Sequence, residues 1–192
     1  KPQYRLESYL GRVNYSYMGK YLATASIRRD ASSKFSPSTR VGLFPAVALA
    51  WKVKEDLFKN TKVVSDLKLR AGWGVTGQQD FGQYYPYMAR YSVSTSTGQY
   101  QFGDKYYNFY RPAAYDANIT WETTTTKNLG LDFGFADNRI TGTVELFQKD
   151  TKDLLATVPV AYGSTFDINL FTNVGSLTNK GVEVVLNTTP VK

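Results

Sequence analysis

Two runs of strict alternation, separated by four residues across which the alternation changes phase, constrain this chain more than any other feature. Leu129, Leu131, Phe133 and Phe135 hold odd positions, and Asn128, Gly130, Asp132 and Gly134 lie between them. A period of two is the signature of a strand with one apolar face. Beyond Ala136, Asp137, Asn138 and Arg139 the apolar set moves to even positions, Ile140, Val144 and Leu146 with Gly142 among them. Thr141, Thr143 and Glu145 now take the odd ones. A tight antiparallel hairpin produces this change. Pairing Phe135 with Ile140, Phe133 with Gly142, Leu131 with Val144 and Leu129 with Leu146 keeps one face apolar and leaves the other polar and small. Asp137 and Asn138 suit the turn, because both tolerate positive φ and hydrogen-bond their own backbone.

The same logic extends along the chain. Over residues 5–18, Tyr9, Gly11, Val13, Tyr15 and Tyr17 oppose Arg12, Asn14 and Ser16. A turn at Met18, Gly19 and Lys20 leads to Tyr21, Ala23, Ala25 and Ile27, set against Thr24, Ser26 and Arg28. Pairing then puts large beside small: Tyr15 with Ala23, Val13 with Ala25, Gly11 with Ile27. Residues 30–40 read as a polar loop. A third strand is expected over 41–53, with a bulge or break at Pro45, which has no N–H for the ladder. Residues 54–66 read as a polar connection with a helical turn at 56–58. In the fourth strand Leu67, Leu69, Ala71, Trp73 and Val75 alternate with Lys68, Arg70, Gly72, Gly74 and Thr76. Residues 77–118, rich in Tyr, show no sustained period. A second loop is expected over 150–171, then a last strand over 173–188 with Val182, Val184 and Leu186 on one face, stopped by Pro190. Counting strands up and down puts the short turns on one rim. The loop near Ser33 and the two long loops fall on the other, so 77–118 must hold no spanning strand or an even number.

The fold class is therefore all-β, an antiparallel up-and-down meander of about seven strands. Alternation alone does not separate a secreted β-sandwich, whose apolar face packs on a second sheet, from a membrane barrel, whose apolar face meets lipid. Strand length favours the barrel. Soluble strands average about five or six residues, whereas at about 3.3 Å per residue and a tilt near 45° the third strand would rise about 30 Å, the thickness of a hydrocarbon core. Tyr15, Tyr17, Tyr21, Trp51, Phe133 and Phe135 share the apolar face near the short-turn rim, where a barrel carries an aromatic girdle. Lys127 and Arg29 have the same parity and imply strand ends that protrude beyond the apolar band.

Composition excludes several functions. Histidine and cysteine are both absent, which removes imidazole, thiolate and zinc chemistry and leaves the redox compartment undecided. No carboxylate pair has a fixed separation, so the chain is not expected to be an enzyme. The net charge of +7 comes from singly scattered Lys and Arg, a pattern that argues against nucleic acid. No run of about eighteen apolar residues could form a membrane helix. No leader pattern opens the sequence, and Lys1 reads as an internal start.

The stretches LGRVNYSYMGKYLATASIRRDASSKF, VGLFPAVALAWKVKEDLF, SDLKLRAGWGVTGQQD, ITWETTTTKNLGLDFGFADNRITGTVELFQKDTKDLL and NVGSLTNKGVEVVLNTTP resemble, in order and spacing, the SusC/RagA family of TonB-dependent outer-membrane transporters. Departures are small. Ala31 stands where Gly is common, and Asp116, Ala117 and Asn118 stand where an Asn-Pro pair is usual. The resemblance implies a piece from the later half of a barrel of about 22 strands in the bacterial outer membrane, importing glycan or peptide fragments. It implies a SusD-like surface lipoprotein lid, and TonB acting through parts absent from this sequence: the plug domain, the TonB box and the remaining strands. No cofactor is expected.

On this reading the long-loop rim faces the cell exterior. Tyr85, Tyr87, Tyr107 and Tyr110 are candidates for ligand or lid contact, because aromatic rings stack on sugar faces; the alternative is that they pack the loop on itself. By parity Arg12, Arg28, Arg70, Asp132 and Glu145 face the lumen, either as ion pairs within the wall or as the lining of a path.

Overall fold

Every long alternating run is a strand in the computed structural model, which describes residues 3–94, 98–161 and 168–189. Seven long strands make one antiparallel sheet, β1(Leu6–Tyr17), β2(Tyr21–Ser32), β3(Val41–Lys52), β4(Val64–Gln78), β9(Glu122–Phe135), β10(Ile140–Lys152) and β13(Ser176–Thr188), in that spatial order. Between β4 and β9 lie β5(Tyr91–Val93), β6(Gln99–Phe102), β7(Lys105–Asn108) and β8(Tyr110–Pro112), and between β10 and β13 lie β11(Leu155–Pro159) and β12(Asn169–Asn173). The single helix among the described residues, α1(Val53–Leu57), is one short turn, and no helix there is long and apolar enough to cross a membrane.

The registers follow from the parity switches. Tyr17 pairs with Tyr21, Tyr15 with Ala23, Val13 with Ala25 and Gly11 with Ile27. Phe135 pairs with Ile140, Phe133 with Gly142, Leu131 with Val144 and Leu129 with Leu146. Both turns need left-handed backbone: Met18 and Gly19 have φ of 52° and 68°, and Ala136, Asp137 and Asn138 have 52°, 55° and 60°. One cross-strand row runs through all seven strands on the apolar face: Tyr17, Tyr21, Trp51, Leu69, Leu131, Val144 and Val184. Nothing covers it. Val13 is 69% exposed, Leu49 54% and Val184 66%, so no second sheet packs on this face among the described residues. The exposed apolar face is what a barrel wall requires and what a sandwich would have to cover.

The short-turn rim is held together by α1. Lys20 Nζ donates to Asp56 at 2.8 Å, Tyr21 Oη donates to the same carboxylate, and Trp51 Nε1 reaches it at 3.3 Å. The hydrogen bond from Lys20, followed by that from Tyr21, holds the Asp56 carboxyl down from 3.8 to about 2. Lys52 N–H donates to Lys20 O, Ala136 N–H to Val63 O and Thr189 N–H to Arg139 O. These bonds place the short connections on one rim.

Several expected boundaries move. Val53 belongs to α1 rather than to the third strand, and the helical turn spans 53–57 rather than 56–58. The fourth strand begins at Val64, with a bulge at Ser65 that shifts its register against β9. β2 runs on to Ser32 and shortens the polar loop. At Pro45 the β3–β4 ladder stops, its last pair being Ala46 with Gly74, while the β2–β3 ladder continues through Ile27 and Pro45. The expected break is thus on one side only. Residues 150–171 are not simply a loop, since β10 extends to Lys152 and β11 pairs with β12. Asn173 closes β12, and the last strand starts at Ser176. Within 77–118, β5 pairs with β8 and β6 with β7 as two short ribbons, and among the described residues there no further strand joins the seven-stranded sheet. Pro190 and Lys1 lie outside the described residues.

Candidate functional site: the polar face and the loop rim

Strand pairing sets the polar face residue by residue. Arg70 of β4 lies opposite Gly130 of β9, which lies opposite Glu145 of β10. A Cβ at position 130 would stand 2.9 Å from Arg70 Nη2, so the missing side chain lets the guanidinium lie across β9. It reaches Asp132 through two bonds of 2.9 and 3.0 Å and Glu145 at 3.3 Å. Thr143 Oγ1 donates to Asp132 at 3.0 Å, Asn128 Nδ2 to Glu145 at 3.2 Å, and Lys68 Nζ stands 3.8 Å from Asp132. Two cations and two anions are thus matched across three strands. This network ties the strands together.

Nearer the loops, Arg28 Nε donates to both oxygens of the buried Asp30 at 2.8 Å, and Nη2 reaches Ser8 at 3.4 Å. Arg12 lies opposite Ser26 and lines a groove of about 560 Å³ with Leu10, Arg28, Phe44 and Trp121. Of the five charged candidates, Arg70, Asp132 and Glu145 come together and Arg28 pairs locally. Arg12 alone of them has no ion pair among the described residues.

The loop rim holds the buried apolar core: Phe35, Phe44, Ile119 and Trp121, with Val75, Phe81, Tyr87, Leu155 and Phe171 against them. Val75 was expected on the apolar face. It packs beside Phe44 instead, where the β3–β4 ladder has ended, and it lines the polar-face groove with Thr76 and Gly77. Trp121 Nε1 donates to Arg40 O at 3.1 Å. The Asn173 side chain clamps Thr120 through both its oxygen and its nitrogen, at 2.7 and 2.9 Å, and donates to Asp153 O at 2.7 Å.

The four candidate tyrosines are not gathered into one site. Tyr87 is half-buried against the core, and Tyr85 meets its ring edge-on at 6.3 Å while donating to Gln3 O. Tyr110 lies on β8 opposite Val93 and is 72% exposed. Tyr107 lies on β7 opposite Tyr100, and its ring meets Phe102 edge-on at 6.4 Å; Tyr100 and Phe102 are 5.3 Å apart. Tyr100, Phe102 and Tyr107 therefore form an exposed three-ring surface on one ribbon. Tyr100 and Phe102 were not among the expected contacts, yet the sequence carries the signal: an alternating pair leads into Gly103 and Asp104, a two-residue hairpin turn in which Gly103 has φ 61°.

An uncovered apolar face about twelve residues long, backed by a charge-matched polar face, is barrel wall. Residues 1–189 match the TonB-dependent receptor-like β-barrel family, and the chain belongs to it. The sheet is accordingly part of an outer-membrane β-barrel. The chain is 48% identical to the TonB-dependent receptor SusC of Bacteroides thetaiotaomicron over 97% of its own length and 19% of that protein's. It is 36% identical to the TonB-dependent receptor P26 of Formosa agariphila, over 98% of the chain and 19% of the relative. Among solved structures it resembles the RagAB peptide importer in its closed-closed state, with a TM-score of 0.86 and 28% identity, covering 98% of this chain and 20% of that one. The chain thus spans about a fifth of the length of the curated relatives it matches.

Proposed function

We propose that this chain is a wall segment of an outer-membrane transporter that imports glycan or peptide fragments with a SusD-like lipoprotein lid and draws its energy through TonB. The observation that carries the reading is the split of one sheet into a seven-strand apolar row open to lipid and an opposite face of internally matched charge. Family membership and the likeness to SusC and to the RagAB peptide importer support it. The segment supplies wall and loops rather than chemistry. Plug and TonB-contacting parts belong to other stretches of the parent protein. In this role Arg70, Asp132 and Glu145 brace the lumen side, Arg12 and Arg28 border the path beneath the loops, and the Tyr100, Phe102 and Tyr107 surface meets lid or substrate.

The test is uptake by cells carrying the full-length parent. Replacing Tyr100 and Tyr107 together with Ala should impair uptake or lid capture while membrane levels stay normal. Tyr110→Ala, on the separate β5–β8 ribbon, reports whether the contact extends there. Tyr87→Ala should instead lower loop stability, because Tyr87 packs on the core. Unchanged transport in the Tyr100 and Tyr107 variant would return both rings to loop packing.

A further inference from the structure

The connection between β3 and β4 is longer than the other links on its rim. Residues 53–63 separate those strands, whereas Met18, Gly19 and Lys20 suffice between β1 and β2, and residues 136–139 between β9 and β10. It is also ordered. Phe58 N–H donates to Lys54 O, Thr61 N–H to Phe58 O, and the carbonyl of Val63 accepts from Ala136 N–H. Within it Leu57 is 64% exposed and Phe58 39%, although both are large and apolar. Asp56, next to them in sequence, fixes where they stand. Two of the three groups that bond it, Tyr21 Oη and Trp51 Nε1, belong to side chains of the lipid-facing row, and the third is Lys20 of the adjacent turn. The Tyr21 and Trp51 rings stack, 6.1 Å apart with 12° between their planes. The clasp therefore holds α1 on the lipid side of the rim rather than over the lumen. Both strands that carry the connection are interior to the sheet, β3 between β2 and β4, and β4 between β3 and β9.

We propose that the β3–β4 connection is an interfacial foot, which lies in the surface of the inner leaflet of the outer membrane with Leu57 and Phe58 set among the upper acyl groups of its phospholipids. Continuity with the lipid face fixes the occupant. That face ends at Tyr21 and Trp51, whose polar tips mark the headgroup level, and Asp56 ties the foot to those same tips. Apolar side chains held at that depth beside lipid lower their free energy by entering it, and any soluble partner would have to compete with the bilayer for them. Short connections lie on the periplasmic side of such barrels, so the leaflet is the inner one. The foot then acts as a stop. Sliding the barrel towards the exterior would draw the polar clasp into the hydrocarbon, and sliding it inward would strip lipid from Leu57 and Phe58. The proposal rests on the outer-membrane placement of the sheet and is independent of what the transporter carries.

The full-length parent, freed of other cysteines and carrying Leu57→Cys or Phe58→Cys with a fluorescent label, is folded into phospholipid vesicles and quenched by nitroxide lipids or by iodide present on both sides of the bilayer. Lipids with the nitroxide near the headgroup should quench both labels, lipids with it at the chain end should quench them less, and iodide should quench them weakly. Asn60→Cys, labelled in the same way, shows how far from the clasp the contact extends. Separately, Leu57→Ser with Phe58→Ser should lower the equilibrium constant for folding into vesicles roughly tenfold, the effect of half-burying two large apolar side chains, while Asn60→Ser leaves it unchanged. Iodide quenching without lipid quenching would leave the foot in water, and protection from both quenchers would put a protein surface over it. Either result, or unchanged folding of the Ser pair, would overturn the proposal.

Discussion

Leu131 and Asp132 are adjacent in β9 and on opposite faces, so a pair of substitutions there weighs the lipid side against the lumen side. Leu131 sits in the seven-strand apolar row, four residues from the end of β9 at Phe135. At about 3.3 Å per residue and a tilt near 45°, it lies about 9 Å inside that end. An arginine there is neither at the midplane nor at the interface. Leu131→Arg should cost about 2 to 3 kcal/mol in the assembled barrel, below the midplane maximum. Asp132→Asn removes the charge that receives two bonds from Arg70 and one from Thr143. Charge-assisted bonds contribute about 1.5–3 kcal/mol, but the Arg70 and Asp132 side chains keep 30% and 23% of their exposure, so solvent screening lowers the expected loss to about 1 to 2 kcal/mol. Arg70→Gln in the Asp132→Asn background should cost less than it does alone, because the pair is already broken. Urea titration of the full-length protein folding into lipid vesicles measures all four variants against the unmodified protein. A loss at Asp132 as large as that at Leu131, or larger, would mean that the faces are reversed.

Acid should release the short-turn rim locally. Asp56 is held at about 2 against an ordinary 3.8; a lowered carboxyl pKa gives stabilisation that is complete above the unfolded value and lost as pH falls through the folded one, so the clasp on Lys20, Tyr21 and Trp51 should open between about pH 4 and 2. A carboxyl carbon NMR titration with a midpoint at an ordinary Asp value would refute this. Phe35→Ala, at a site with no exposure, should cost about 3 to 5 kcal/mol of loop-rim stability, seen as faster hydrogen exchange in the loops with the wall strands still protected, whereas Phe102→Ala, 70% exposed, should leave exchange unchanged.

Where one environment covers a whole face, the sequence is close to a direct reading of the structure. Leu129 to Phe135 meet one medium on one side and another on the other, and every expected pair of that hairpin is found. The reading fails where the media change. Val75 continues a correct alternation in β4, yet past Pro45 the neighbouring strand has separated and an apolar cluster stands on the polar side, so Val75 is half-buried against that cluster where parity predicts exposure to lipid. Ser65 is hidden for another reason: a bulge adds one residue without a compositional mark, and Val64 then pairs with Phe135 as though the strand had begun there. Of the site, the Arg70, Asp132 and Glu145 grouping was legible as shared parity, but their contact depends on Gly130, whose role appears only when Arg70 is seen to cross it. The ribbons escaped because strands of three or four residues with exposed rings on both faces have no buried side to impose a period.

The distribution of burial explains how such a wall can carry ordered loops. A barrel wall has lipid on one side and water on the other, so its strands are held by ladder bonds and cross-strand contacts rather than by a core. Loops have neither. Here Phe44 projects from β3 on the polar side, and Phe35 from the β2–β3 loop, Ile119 and Trp121 ahead of β9, Phe81 and Tyr87 beyond β4, and Leu155 and Phe171 from the β11–β12 hairpin close over it. Three separate connections thereby share one cluster with the wall residues Phe44 and Val75. Lys34 adds a further tie, with its ammonium 4.9 Å from the Phe81 ring centre and 3.2 Å from Gln79 O. Moving any of these loops as a whole must expose part of that cluster, at about 25 cal/mol for each Å² of apolar surface. Among the described residues the ribbons β5–β8 and β6–β7 contribute none to it, so they can be displaced without that penalty.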